Sequence, residues 1–123
     1  MVDDFEPFRQ LARSIVAGKP ELQIIAEASD GLEAVQKAAE LKPDLILLDI
    51  ALPSLNGIEA ARQIRKLVPE TKIIFLSQES SAEVVQEALD LGAWGYVVKN
   101  RAGGELLAAV ESVISGKRFV SST

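Results

Sequence analysis

The chain has 123 residues, 48% hydrophobic and 25% charged, with 13 basic against 18 acidic side chains and a net charge of −5. That length suits one domain with one core, and the acidic balance argues against direct nucleic-acid binding, which needs clustered Lys and Arg. Cysteine and histidine are both absent, so disulfides, thiolate or imidazole metal sites and histidine-based acid–base or phosphoacceptor chemistry are excluded.

No apolar run approaches the length of a membrane span, and no charged-apolar-small leader opens the chain. The expectation is a cytoplasmic domain without a membrane partner. Any metal must be held by carboxylates and carbonyls, which favours Mg²⁺, Mn²⁺ or Ca²⁺.

In chain order, Met1-Val2 precedes the adjacent carboxylates Asp3-Asp4. Phe5, Phe8, Leu11, Ala12, Ile15 and Val16 recur at helical spacing, which predicts a helix over 5–17 ended by Gly18 and Pro20. Leu22 to Ala28 reads as a strand. Asp30 caps a helix over Gly31 to Leu41, broken by Lys42-Pro43. The run Leu45-Ile46-Leu47-Leu48 then ends in Asp49. Four aliphatic residues without polar alternation fit a strand buried on both faces, and Pro53 shows that the strand has ended by then.

Asn56 caps the next helix, which runs toward Pro69. Lys72 to Ser77 is a second doubly buried strand, again closed by a polar residue. Ser81 starts a helix that Gly92 stops. Trp94 to Lys99 is a short strand, and residues 103–115 form a last helix closed by Gly116. The tail from Lys117 to Thr123 is short and has no stop signal of its own.

Strand and helix alternate throughout. That predicts an α/β domain in three layers, doubly wound and flavodoxin-like, with a five-stranded parallel sheet in the order 2-1-3-4-5. Parallel strands bring their carboxyl ends to one edge. Asp3, Asp4, Asp49, Ser77 and Lys99 should therefore meet there. Three like charges in one pocket repel, and a hard cation such as Mg²⁺ relieves them. With Lys99 and the Ser77 hydroxyl alongside, the set suits phosphoryl transfer to Asp49 as nucleophile.

The motifs Val2-Asp3-Asp4, Leu47-Leu48-Asp49, Pro53…Gly57, Leu76-Ser77, Gly92-Ala93-x-Gly95-Tyr96 and Val98-Lys99 together resemble the receiver domain of two-component response regulators. The resemblance covers essentially the whole chain, 1–123. The end Gly116-Lys117-Arg118-Phe119-Val120-Ser121 resembles receivers of LuxR/NarL-type transcription regulators, in which a helix-turn-helix output domain follows; here it would lie after residue 123.

The resemblance implies a regulatory phosphorelay domain rather than an enzyme acting on other molecules. It implies Asp49 as the phosphoacceptor and a histidine kinase as donor. Mg²⁺ (or Mn²⁺) would be held directly by Asp4, Asp49 and the Ile50 backbone carbonyl, and by Asp3 through water. Lys99 and Ser77 would bind the phosphoryl group. Ser77 and Tyr96 would form the switch, in which the ring turns inward behind the hydroxyl. Ala51, Gln78 and Glu79 would tune dephosphorylation, and the switched face would drive dimerisation or control the output domain. Trp94 on that face reads equally as an exposed contact or as packed core.

The chain departs from the pattern in two ways within the domain. Receivers usually carry four or five apolar residues before the acidic pair, so the first strand is clipped. Asn100 follows Lys99 where many relatives have proline; a cis bond there would cost about 3 kcal/mol, which predicts trans. Three other readings compete: a phosphorylation-independent interaction module of the same fold, an aspartyl-phosphate hydrolase of the haloacid dehalogenase kind, and a flavin binder. Ala51 stands where the hydrolase needs a second Asp, and Asp3-Asp4 stand where the flavin binder needs a phosphate loop.

Overall fold

The structure is a computed structural model that describes residues 1–121; Ser122 and Thr123, the end of the expected 1–123 domain, lie outside the described residues. The doubly buried runs form β1 (Leu45–Asp49), β2 (Lys72–Ser77) and β3 (Gly95–Val98), which pair in parallel in that order. Alternate side chains feed opposite layers. Ile46, Leu48, Ile73, Phe75, Tyr96 and Val98 join one core beneath α2 (Gly31–Leu41), α3 (Gly57–Leu67) and α4 (Ala82–Asp90). Leu47, Ile74, Leu76 and Val97 join the other, beneath α1 (Glu6–Ala17) and α5 (Ala102–Ile114). This is the predicted doubly wound, three-layer architecture.

The helix ends follow the predicted chemistry. Asp30, Asn56 and Ser81 each accept a hydrogen bond from the backbone N–H three residues on, as N-caps do. Lys99 to Arg101 form one turn of 3₁₀ helix leading into α5, so the expected last strand stops at Val98. Among the described residues there is no cis peptide, in line with the trans Lys99–Asn100 bond expected.

Two expectations need correction. The predicted strand over Leu22 to Ala28 has no ladder: only Ala28 forms a bridge, to Val2, and Val2 forms one more, to Leu48. The order 2-1-3-4-5 survives in reduced form as Ala28, Val2, β1, β2, β3. The side chains nevertheless alternate as a strand's do, with Leu22, Ile24, Ala26 and Ala28 turned inward and Glu21, Gln23 and Ile25 out. Burial supplied the pattern, but a ladder needs a partner backbone, and among the described residues the hydrogen bonds of this segment with residues 1–3 involve only Ala26 and Ala28.

The second correction concerns the tail. Phe119 and Val120 form β4, which pairs in parallel with Gly95 and Tyr96 beyond β3. Two residues carry no readable period. The strand is held by Phe119 N–H to the Trp94 carbonyl (3.1 Å) and Ser121 N–H to the Tyr96 carbonyl (2.9 Å). Buried Ser121 finishes the edge: its Oγ accepts from Val98 N–H (3.0 Å) and donates to Glu105 of α5 (2.6 Å).

Candidate functional site

The carboxyl edge of the sheet collects the expected residues. Val2 N–H bonds to the Leu47 carbonyl (2.8 Å) and Asp49 N–H to the Val2 carbonyl (2.9 Å), which places Asp3 beside Asp49. Both carboxylates are buried, Asp3 at 0% and Asp49 at 3% exposure, while Asp4 is exposed. One ligand oxygen from each of Asp3, Asp4 and Asp49 lies within 4.8 Å of the other two.

Lys99 reaches in from the end of β3. Its Nζ lies 2.7 Å from Asp3 Oδ2 and 3.2 Å from Asp49 Oδ2, and 4.9 Å from the centroid of the Phe8 ring. Asp3 Oδ1 accepts from Phe5 N–H (2.9 Å), so Lys99 is the one partner of the buried Oδ2. Asp49 Oδ1 accepts from Ala51 N–H (3.2 Å). Burial and the adjacent Asp3 charge raise the Asp49 pKa, with Lys99 opposing. For Lys99, burial alone would lower the pKa, but its pairing with Asp3 and Asp49 outweighs this and leaves it raised. The arrangement is an anion pocket with a fixed cation, short of positive charge by more than one unit.

Local packing fixes the acceptor. Gly57 opens α3 directly against β1: a Cβ there would lie 2.1 Å from the Asp49 carbonyl oxygen. Gly57 N–H donates to the Ile50 carbonyl (2.8 Å), as does Leu52 N–H (3.0 Å). The Ile50 carbonyl, expected as a metal ligand, is therefore already occupied by two donors, and a carbonyl has two lone pairs. The carboxylates can still hold Mg²⁺: they are hard oxygen donors grouped at close range.

Ser77 is buried at the end of β2, and its Oγ accepts from Glu79 N–H (3.0 Å). Tyr96 is fully buried, so the ring expected to turn inward already lies inside; its hydroxyl donates to the Glu79 carbonyl (2.7 Å). Burial raises the Tyr96 pKa, and the neighbouring Ser77 hydroxyl opposes this in part. Ala51, Gln78 and Glu79 are exposed at the rim. Sequence reasoning missed the main-chain part of Glu79, which touches both hydroxyls; nothing in a side-chain pattern announces a backbone contact. Trp94 falls between its two readings: it is partly buried, with Lys72 Nζ 4.5 Å and the Arg118 guanidinium 5.7 Å from its ring centroid.

A parallel α/β sheet with buried acids, a lysine and a hydroxyl at its carboxyl edge defines a class of signalling domain that handles a phosphoryl group. The chain belongs to the response regulator receiver domain family, whose model matches residues 1–111. It is 34% identical to the transcriptional regulatory protein DegU of Brevibacillus brevis over 98% of this chain and 51% of that protein. Over 80% of its length it is 44% identical to a protein-glutamate methylesterase/protein-glutamine glutaminase of Thermotoga maritima, of which it covers 29%.

Among solved structures, a LuxR-family two-component response regulator from an Aurantimonas species superposes with a TM-score of 0.90 at 33% identity, covering 96% of this chain and 84% of that one. The response regulator domain of Thermotoga maritima CheB superposes at 0.84 with 36% identity, covering 93% and 92%. The chain spans about half the length of the transcription regulators it matches. Receiver domains of this kind serve phosphorylation-based signalling in two-component systems that control transcription, work with histidine kinases and bind Mg²⁺ at an acidic pocket. Their role is regulatory; the methylesterase relative is an enzyme that extends well beyond the part matched here. Among the described residues no helix is long and apolar enough to cross a membrane.

Proposed function

We propose that Asp49 is the phosphoacceptor. The observation that carries the reading is Lys99 Nζ held between Asp3 Oδ2 and Asp49 Oδ2 at 2.7 and 3.2 Å, beside three grouped carboxylates. A carboxylate oxygen of Asp49 attacks phosphorus of a kinase phosphohistidine in line. The P–N bond breaks, the imidazole leaves with its electron pair and takes up a proton, and an acyl phosphate forms on Asp49. Lys99 and the Ser77 hydroxyl pair with the phosphoryl oxygens. Asp4 and Asp49 directly, and Asp3 through water, would hold the Mg²⁺, which would supply positive charge to those oxygens. The Ile50 carbonyl would complete the set by giving up one of its two donors, Leu52 or Gly57 N–H.

Ser77 and Tyr96 then carry the change outward, through the Glu79 backbone that both hydroxyls contact. Exposed Ala51, Gln78 and Glu79 set how readily water reaches the acyl phosphate. The domain catalyses only its own phosphorylation and dephosphorylation, in the cytoplasm, and passes the signal to a DNA-binding output domain carried after residue 123 or to a second copy of itself. The test is mass spectrometry after acetyl phosphate with Mg²⁺. One phosphoryl adduct is expected on the wild type and none on Asp49→Ala. Full labelling of Asp49→Ala would refute the assignment.

A further inference from the structure

Asp4 is the exposed member of the acidic group, and among the described residues its carboxylate enters no ion pair, whereas Asp3 and Asp49 share Lys99. The backbone therefore places it. That backbone is held on both sides. Asp3 Oδ1 accepts from Phe5 N–H (2.9 Å), a turn closed by an aspartate side chain across the residue between. The Asp3 carbonyl accepts from Arg9 Nη1. This carbonyl belongs to the planar peptide that joins Asp3 to Asp4, so its direction governs how the two carboxylates stand to one another.

Arg9 lies in the first turn of α1, three residues after Glu6 and four before Arg13, a spacing that sets all three on neighbouring positions of one face. Its guanidinium has three partners: Nη1 on the Asp3 carbonyl, Nη2 on Glu6, and Nε 3.3 Å from Glu27. Arg13 pairs with the same two carboxylates. Two guanidiniums and two carboxylates carry no net charge between them. Glu27 is itself anchored to α2, since Lys37 Nζ donates to its carbonyl (2.6 Å). A rigid planar fork held from α1 and from the segment before α2 fixes a direction, and the third prong of that fork is spent on Asp3.

We propose that Arg9 is a positioning residue of the acidic site: through the Asp3–Asp4 peptide it holds the Asp4 carboxylate toward Asp49 and keeps Asp3 on Lys99, and so sets the affinity for a divalent cation. This role presupposes the proposed function, in which Asp4 and Asp49 are the direct ligands of Mg²⁺. Arg9 itself touches neither the cation nor the phosphoryl group. Its charge and its geometry act in opposite directions. As a nearby cation it repels Mg²⁺, so by charge alone its removal tightens binding. As a brace it orients the acids, so its removal weakens binding, as loss of the outer partners of metal ligands does.

The experiment is Mg²⁺ titration of the 123-residue chain, followed by NMR at the Ala51 amide, which donates to Asp49 Oδ1. Arg9→Gln should raise the Kd for Mg²⁺ about tenfold or more. Arg9→Lys, a milder change that keeps the charge but not the fork, should raise it at least about threefold. Arg13→Gln removes an equal charge from the same group but no contact with Asp3, and should leave the Kd within about twofold because that charge is screened by solvent. Without Mg²⁺, the Phe5 amide should exchange at least about tenfold faster in Arg9→Gln and at the wild-type rate in Arg13→Gln. The Phe5 amide reads the brace with no cation present, so unchanged exchange there would overturn the proposal whether or not the wild type binds Mg²⁺. Unchanged or tighter Mg²⁺ binding in both Arg9 variants, or equal weakening in Arg13→Gln, would overturn it as well. A wild type that binds no Mg²⁺, with a Phe5 amide that still responds to Arg9→Gln, would instead overturn the proposed metal site and with it the part of Arg9 in cation affinity.

Discussion

The two sides of β1 are built differently. Toward β2, five consecutive residues pair in register, Leu45 with Lys72 through Asp49 with Leu76. Toward the amino-terminal side, Val2 alone links Leu48 to Ala28. The site straddles this divide. Asp49, Ser77 and Lys99 hang from the laddered half, and Asp3 and Asp4 from the half held by single bridges. Side-chain burial is nearly as complete in both, with Val2 and Ala28 at 5% exposure against 0% for Leu48. Packing and laddering are therefore separable: apolar contact positioned the acidic pair where hydrogen-bonded pairing is sparse. Lys99 is the covalently independent tie, since it grips one carboxylate from each half.

Cutting that tie should give the largest effect. Lys99→Ala removes the fixed cation that, on the proposed reading, pairs with the phosphoryl oxygens, and the rate of labelling by acetyl phosphate should fall about 100-fold or more. A rate within tenfold of wild type in a single-turnover assay would show that Lys99 only braces the pocket.

Truncating the core on either side of the divide compares the halves in stability. Leu48→Ala, at the laddered centre, should cost about 3–5 kcal/mol in urea unfolding. Val2→Ala should cost about 1–2 kcal/mol, because fewer methyl groups are lost. Equal costs would contradict the contrast. Amide exchange sharpens it further. Asp3 and Ala28 amides should exchange at least about tenfold faster than those of Ile74 and Phe75, by local opening.

The smallest effect is electrostatic. The folded-state pKa of Asp49 is raised above its unfolded value, chiefly by burial. Its contribution to stability is therefore favourable below the ordinary carboxylate range and is lost as pH rises through the raised pKa. At neutral pH without Mg²⁺ the ionised group opposes folding, so Asp49→Asn should raise the melting temperature by a few degrees. The gain should shrink on acidification and on adding Mg²⁺ to the wild type. A lower melting temperature for Asp49→Asn at neutral pH would mean that the pairing with Lys99 outweighs burial.

Much of the laddered half was legible in sequence. A polar residue closing an apolar run marks a strand's carboxyl end, which found Asp49 and Ser77 and brought Lys99 to within one residue of its strand. The helices were legible because caps and breakers are local. Backbone pairing was not, because it depends on whether a neighbour exists. Residues 22–28 alternate like a strand yet lack a ladder, and Phe119-Val120 form one with no pattern. The two donors to the Ile50 carbonyl, Leu52 and Gly57 N–H, were not legible for the same reason: only the folded loop creates those contacts.

The main chain of Glu79 carries a last consequence. One residue lends its N–H to Ser77 and its carbonyl to Tyr96, so the two hydroxyls are linked through the φ and ψ of a single residue. If Ser77 is drawn toward Asp49, the φ and ψ of Glu79 turn, and the Tyr96 contact must loosen or follow. In thermodynamic language, Ser77→Ala and Tyr96→Phe are not independent perturbations, and a double-mutant cycle on them should close with a coupling well outside additivity. On the proposed reading, the backbone of Glu79 is the element through which an event at Asp49 would reach the far side of β3.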